Sequence, residues 1–135
     1  MALEITQRER EGITLLDLKG RITAGPEAGA LREIVSSLNQ EGGCRLVLNL
    51  RQVDYIDSTG LGALTVCATS LRKSGGDTKL LNLNRRNIEL LVMTKLATVF
   101  EIFADETDAI NSYYPDRKIQ RFDILSFVEQ MKRDE

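Results

Sequence analysis

The 135-residue sequence has no histidine, no tryptophan and only two cysteines. Without histidine, the chain cannot form imidazole metal sites or the Ser-His and Cys-His pairs that activate nucleophiles. Cys44 and Cys67 form no CxxC pair, so nothing indicates a zinc knuckle or a thioredoxin-like site. These absences exclude most common hydrolase designs, and both cysteines are expected to be buried thiols in a reducing compartment.

The chain also lacks a strong charge of one sign and a long apolar run. Its 18 basic and 20 acidic residues give a net charge of −2, which provides no general attraction for nucleic acid. No run approaches the roughly eighteen apolar residues of a membrane span, and the N-terminus has no signal-peptide pattern. We therefore expect a soluble, cytoplasmic protein with no nucleic-acid partner and no segment inserted into a membrane.

Hydrophobic periodicity predicts strands that alternate with helices after an opening hairpin. Leu3, Ile5, Ile13 and Leu18 lie in the two hairpin strands, which are joined by a turn at 9–12. The later elements are predicted as a helix at 26–40, a strand at 46–50, a loop at 53–57, a helix at 58–73, a strand at 79–83, a helix capped by Asn84, a strand at 99–103 and a helix at 105–113. This order indicates an α/β fold whose mixed sheet is parallel after the hairpin, with helices packed against it.

Pro115 marks a boundary between a domain at 1–114 and a C-terminal extension at 115–135. Within the extension Phe122, Leu125, Val128 and Met131 recur every three residues, with Phe127 beside them, which predicts a short amphipathic helix. Its apolar face needs a cover. That cover is either the chain's own domain or a second copy in a homodimer, or else the helix detaches and binds a partner.

The segment from Val53 to Leu64 carries the most functional information. Ser58 falls where a strand gives way to a helix, and Gly60 and Gly62 allow close approach of backbones. In one interpretation Ser58 only caps the helix. The segment lacks the third glycine of a dinucleotide site, a Gly-Lys-Ser/Thr phosphate loop, a Gly-x-Ser-x-Gly elbow and the spacing of an aspartic protease. No enzyme template fits, so we expect a binding module rather than an enzyme.

Another interpretation makes Ser58 a phosphoacceptor. A hydroxyl at a helix start is accessible to a kinase, and helix amides favour the added phosphate. Phosphorylation would add nearly two negative charges beside Asp57 and near Asp54. A partner that docks there would then meet like-charge repulsion and a larger desolvation cost.

A family resemblance rests on the string Asp57-Ser58-Thr59-Gly60-Leu61-Gly62 and on Gly20, Arg21 and Ile22 at the end of the second strand. Over about residues 3 to 113 the chain resembles the STAS domain of bacterial anti-sigma factor antagonists. The resemblance implies the STAS fold and a partner that is both an anti-sigma factor and a serine/threonine kinase. The unphosphorylated protein would bind this partner and release a sigma factor, until phosphorylation of Ser58 ends the interaction. The resemblance places the partner contacts at Asp57, Ser58, Thr59, Gly60, Leu61 and Gly62.

The same resemblance implies that the protein needs no cofactor and no metal of its own, because the kinase supplies ATP and magnesium. Thr23 departs from the pattern, since many sporulation-type members carry an acidic residue there. Two other roles stay open. The chain could serve as the STAS regulatory subunit of a membrane transporter ATPase, or as a scaffold subunit of a stress-signalling complex.

Three further residues are not assigned to the site. Tyr55 is expected to brace the loop as a half-buried aromatic side chain. Arg85 and Arg86 begin the third helix, where cations oppose the helix dipole; they are expected to be solvated, and a surface contact is the alternative.

Overall fold

The protein is built on a five-stranded β-sheet with helices on both faces, in a computed structural model that describes residues 3–134. The strands are β1 (Leu3–Arg10), β2 (Ile13–Ile22), β3 (Arg45–Ile56), β4 (Asp77–Leu81) and β5 (Glu101–Phe103). The helices are α1 (Pro26–Leu38), α2 (Ser58–Lys73), α3 (Arg85–Met93), α4 (Glu106–Asn111) and α5 (Ile124–Asp134), with a 3₁₀ turn at Leu96–Thr98.

The sheet has the order β1-β2-β3-β4-β5, and only the first pair is antiparallel. This confirms the predicted mixed sheet. Glu11 and Gly12 connect β1 to β2, both with positive φ angles, 53° and 80°. Two consecutive positive φ values give a turn whose twist matches that of the flanking strands. The hairpin was predicted from the alternation and the glycine.

The predicted loop at 53–57 is wrong, because β3 continues to Ile56. Arg21 pairs with Tyr55 and Ile22 with Ile56, so β2 also runs past Gly20. Two register shifts in this part of the β2–β3 pair place extra residues in β3. Each such bulge interrupts the inside–outside alternation by one residue. The sequence pattern of a bulged strand therefore looked like that of a loop.

The helix boundaries follow the local signals more closely. The structure confirms α2 over the predicted residues, and α3 begins after Asn84, whose side chain accepts a hydrogen bond from the Asn87 amide at 2.8 Å. The first helix ends at Leu38 instead of residue 40, and the fourth strand lies two residues earlier than predicted. Shifts of this size are typical at element ends.

Two hydrophobic cores lie on opposite faces of the sheet. The larger one packs α1, α2 and α3 against the sheet, and Leu31, Leu64 and Leu91 are among its buried members. The smaller one packs α4 against the other face around Val47 and Phe103. Cys67 is buried in the larger core as predicted, whereas Cys44, which directly precedes the central strand β3, is only half-buried.

The C-terminal extension packs against the chain's own domain. The Phe122 amide donates a hydrogen bond to the Ile102 carbonyl of edge strand β5 at 2.8 Å, and Phe122 and Ile124 contact the larger core. Helix α5 exists, but its predicted inner face is partly wrong, because Leu125 is 76% exposed. The half-buried positions follow the true helical spacing of three and four residues. They are Ile124, Phe127, Val128 and Met131.

No helix within residues 3–134 is both long enough and apolar enough to cross a bilayer.

Candidate functional site

The site lies where β3 gives way to α2, and Asp57 is the residue that organises it. One carboxylate oxygen of Asp57 accepts a hydrogen bond from the Gly60 amide at 2.7 Å, and the other accepts one from the Ala24 amide at 3.0 Å. The Asp57 amide in turn donates to the Ile22 carbonyl at 3.2 Å. Asp57 thus caps α2 and ties its first turn to the end of β2. The interpretation in which Ser58 caps the helix is wrong.

The same two amides stabilise the charged form of the Asp57 carboxylate. Hydrogen bonds from Gly60, and next from Ala24, hold the pKa of Asp57 below its usual range. The carboxylate is therefore ionised at neutral pH. A fixed negative charge stands directly beside Ser58.

Ser58 is the first residue of α2, and its side chain is exposed. Within residues 3–134 its hydroxyl makes no hydrogen bond. Thr59 and Gly62 are also exposed, whereas Gly60 and Leu61 are buried. Of the six residues proposed for partner contact, Ser58, Thr59 and Gly62 thus present a free outer surface, and Asp57 is half-buried.

The two glycines of the segment have different environments. A Cβ atom on Gly60 would lie 1.9 Å from the Ile22 carbonyl oxygen, so only glycine lets α2 approach β2 this closely. A Cβ atom on Gly62 would have no neighbouring atom within 4 Å in the described residues. The predicted close approach is confirmed at Gly60 and wrong at Gly62, which lies on the outer face of the helix.

The outer face of α2 continues beyond the six residues. Val66, eight residues after Ser58, is an apolar side chain that is 51% exposed. It borders a groove of about 400 Å³ between α1 and α2. This surface was not predicted, because the spacing of leucines identifies only the inner face of α2. One signal was available in the sequence: Ser58, Gly62 and Val66 are four residues apart and so share one helix face, on which Val66 is the aliphatic residue.

Tyr55 and the two arginines lie beside the site. Tyr55 belongs to β3 and is 37% exposed, with the Arg86 guanidinium 4.9 Å from its ring centre. Arg85 pairs with Glu89 at 2.9 Å and also contacts Asp134 of α5. The i,i+4 pair with Glu89 gives Arg85 a local partner of opposite charge. Both arginines are exposed as expected, and each also makes a surface contact.

Comparison with known proteins assigns the family. The family model described as the STAS domain matches residues 4–109. This chain belongs to the STAS domain family. It is also similar to the anti-sigma-B factor antagonist of Bacillus subtilis, with 33% identity over 104 residues that cover 77% of this chain and 94% of the relative. The whole extension, 115–135, including α5, lies outside the range that the family model matches.

Solved structures share the STAS fold. An anti-sigma factor antagonist from Mycobacterium paratuberculosis superimposes with a TM-score of 0.70 and 20% identity, over 82% of this chain and 92% of that one. The Bacillus cell fate determinant SpoIIAA in its phosphorylated form gives a TM-score of 0.64 and 19% identity, over 82% and 99%. These likenesses confirm the predicted fold.

Proposed function

We propose that this STAS protein is an anti-sigma factor antagonist that is switched by phosphorylation of Ser58. In the unphosphorylated form, the N-terminal end of α2 binds an anti-sigma factor that is also a serine/threonine kinase. Support comes from the Bacillus subtilis relative and from a Listeria monocytogenes relative of the same name, which is 30% identical over 102 residues. One structural neighbour of the STAS fold is known in a phosphorylated form.

The observation that carries the proposal is the exposed Ser58 hydroxyl at the first position of a helix with a fixed start. Asp57 and the close approach at Gly60 hold the first turn of α2 against β2. Gly60 and Leu61 in this turn are buried, but the Ser58 side chain is exposed to solvent. A kinase can therefore reach Ser58 without opening the fold.

Phosphorylation changes the charge of this end of α2 without changing its packing. Asp57 is ionised and already uses both carboxylate oxygens on the Gly60 and Ala24 amides. The phosphate therefore adds about two negative charges to an existing one. A partner surface that fits the free hydroxyl would lose that contact and would meet like-charge repulsion. Because Ser58 is exposed, the domain itself stays folded.

The six contact residues divide into two roles under this proposal. Ser58, Thr59 and Gly62 touch the partner, and Gly62 lets the partner backbone come close because it has no side chain. Asp57, Gly60 and Leu61 position the helix from beneath. Val66 extends the contact along α2 with an apolar surface.

The proposal is tested by comparing the partners retained by three forms of the full chain: the parent, Ser58→Ala and Ser58→Asp. Ser37→Asp, which adds a negative charge at an exposed position of α1, serves as the control. We expect the parent, Ser58→Ala and the control to retain a small ATP-binding serine kinase from source-cell lysate, and Ser58→Asp to lose it.

Equal retention of the kinase by Ser58→Asp and the parent would contradict the switch. Retention of a transporter ATPase regardless of the aspartate would instead assign the chain to the transporter-subunit role. Circular dichroism of each variant shows whether the fold is intact, which separates a lost contact from a lost structure.

A further inference from the structure

One part of the sheet carries charged side chains that the proposed function does not use. Lys19 and Arg21 alternate with the buried residues of β2, so they project from the face opposite the larger core. Together with β3 and the start of α3, they form an exposed surface that we call the basic patch. It consists of Lys19, Arg21, Arg51, Tyr55 and Arg86.

Backbone register brings these side chains together. Arg21 of β2 lies opposite Tyr55 of β3, and Lys19 lies opposite Gln52, the neighbour of Arg51. The two register shifts between β2 and β3 occur within this stretch. Bulges re-aim side chains and are common beside functional sites. Arg86 joins from α3 by stacking its guanidinium on the Tyr55 ring at 4.9 Å.

The four cations of the patch are without acidic partners within residues 3–134. Six other arginines of the described chain form ion pairs, for example Arg8 with Asp17 at 2.7 Å and Arg10 with Glu106 at 2.9 Å. Two acidic residues lie nearby, Glu4 of β1 opposite Lys19 and Asp54 between the patch cations along β3, but within residues 3–134 neither forms an ion pair with them. A chain with a net charge of −2 thus concentrates unpaired positive charge on one small surface.

We propose that the basic patch is a docking surface for an acidic segment of a partner protein. Carboxylates would complement the four unpaired cations, and Tyr and Arg are the residues that most often dominate protein interfaces. Two grooves, of about 820 Å³ and 500 Å³, are both bordered by Arg51 of the patch. The smaller one runs over Asp17 of β2 and Asn49 of β3, where it offers an extended segment room to lie along the strands.

The groove walls favour a protein segment over nucleic acid. Asp17, Asp105 and Glu106 line the grooves beside the arginines. A continuous phosphate backbone would meet these carboxylates, whereas a peptide can place its acidic side chains only where the cations are. The patch lies beside the first turn of α2 but includes no residue of that helix, so it adds a second contact to the proposed function and is tested without changing Ser58.

The test measures binding of a fluorescent polyglutamate peptide of about ten residues to the full chain by anisotropy at low ionic strength, where exposed charges are least screened. The parent is compared with the double variant Arg21→Gln, Arg86→Gln. The control is Lys73→Gln, Lys132→Gln, which removes the same charge from exposed positions outside the patch. We expect the patch variant to bind at least about fivefold more weakly and the control to stay within about twofold of the parent.

Equal weakening by the two double variants would overturn the assignment, because the peptide would then sense only net charge. Tighter, patch-dependent binding of a single-stranded oligonucleotide of matching charge would overturn the choice of a protein segment. Melting temperatures of both variants should equal that of the parent, since all four side chains are exposed.

Discussion

Helices α2 and α5 show how differently two amphipathic helices can be held by one small domain. Seven residues of α2 are buried, and its first turn is fixed by the Asp57 cap and by contact between Gly60 and β2. Helix α5 has a regular apolar stripe but no buried residue. It is held mainly through Phe122 at the β5 edge and through contacts with Arg85.

This difference in anchorage bears on the role considered for each helix: presentation of Ser58 by α2, and binding of a partner by α5. A switch residue must be presented at a constant position, and the proposed one, Ser58, lies on the helix with the stronger anchorage. Segments with few buried apolar contacts open locally at low cost in free energy. We therefore expect local opening of α5 to cost less free energy than opening of α2.

The largest effect is expected from Gly60→Ala, because the new methyl group would lie 1.9 Å from the Ile22 carbonyl. Neither the strand nor the helix can move away without losing core contacts, so we expect a loss of about 3 kcal/mol in the free energy of unfolding. Urea denaturation measures this loss. Gly62→Ala is the matched control: it adds the same group in open space and should stabilise the helix by up to about 1 kcal/mol. Equal effects of the two changes would contradict the close contact at Gly60.

A smaller effect is expected from Phe122→Ala in the extension. Phe122 is half-buried against the larger core, so its truncation should cost about 1–2 kcal/mol in unfolding free energy. Leu125→Ala, at a side chain that is 76% exposed, should change the same quantity by less than about 0.5 kcal/mol. Thermal melting of the pair would show whether the extension docks as described. A larger loss for Leu125→Ala would reverse the assigned inner face of α5.

The smallest effect concerns the pH dependence of the α2 cap. The folded-state pKa of Asp57 is lowered, so its contribution to stability is fully present above the unfolded pKa of about 4 and is lost as the pH falls through the folded value. We expect the parent to be more stable than Asp57→Asn at pH 7, and the difference to shrink in acid. Denaturation of both proteins between neutral and acidic pH tests this. A difference that stays constant would mean that the Asp57 charge has no role in the cap.

Local patterns in the sequence were sufficient for most of the fold. The spacing of leucines and the residues that begin and end helices predicted α2 correctly, and the Glu11–Gly12 turn predicted the hairpin. Cap identity could not be decided from the sequence, because Asp57 and Ser58 are both good capping residues, and the contacts of Asp57 with Ile22 and Ala24 join it to a distant part of the chain.

Features that depend on contacts between distant strands could not be predicted from local patterns. Tyr55 lies in a strand and not in the predicted loop because β3 pairs, through two bulges, with β2, which is thirty or more residues earlier in the chain. The inner face of α5 depends on where Phe122 meets β5. The site was predicted as a set of six neighbours in sequence, whereas the structure separates outward residues such as Thr59 from buried ones such as Leu61.

The most direct test of the account is localisation of the phosphate after the purified chain is incubated with its isolated kinase partner and Mg-ATP. Fragmentation mass spectrometry distinguishes Ser58 from Thr59, the adjacent exposed hydroxyl. We predict one phosphate on Ser58 in the parent and in Thr59→Ala, and none in Ser58→Ala. Phosphate on Thr59, or modification that persists in Ser58→Ala, would contradict the account.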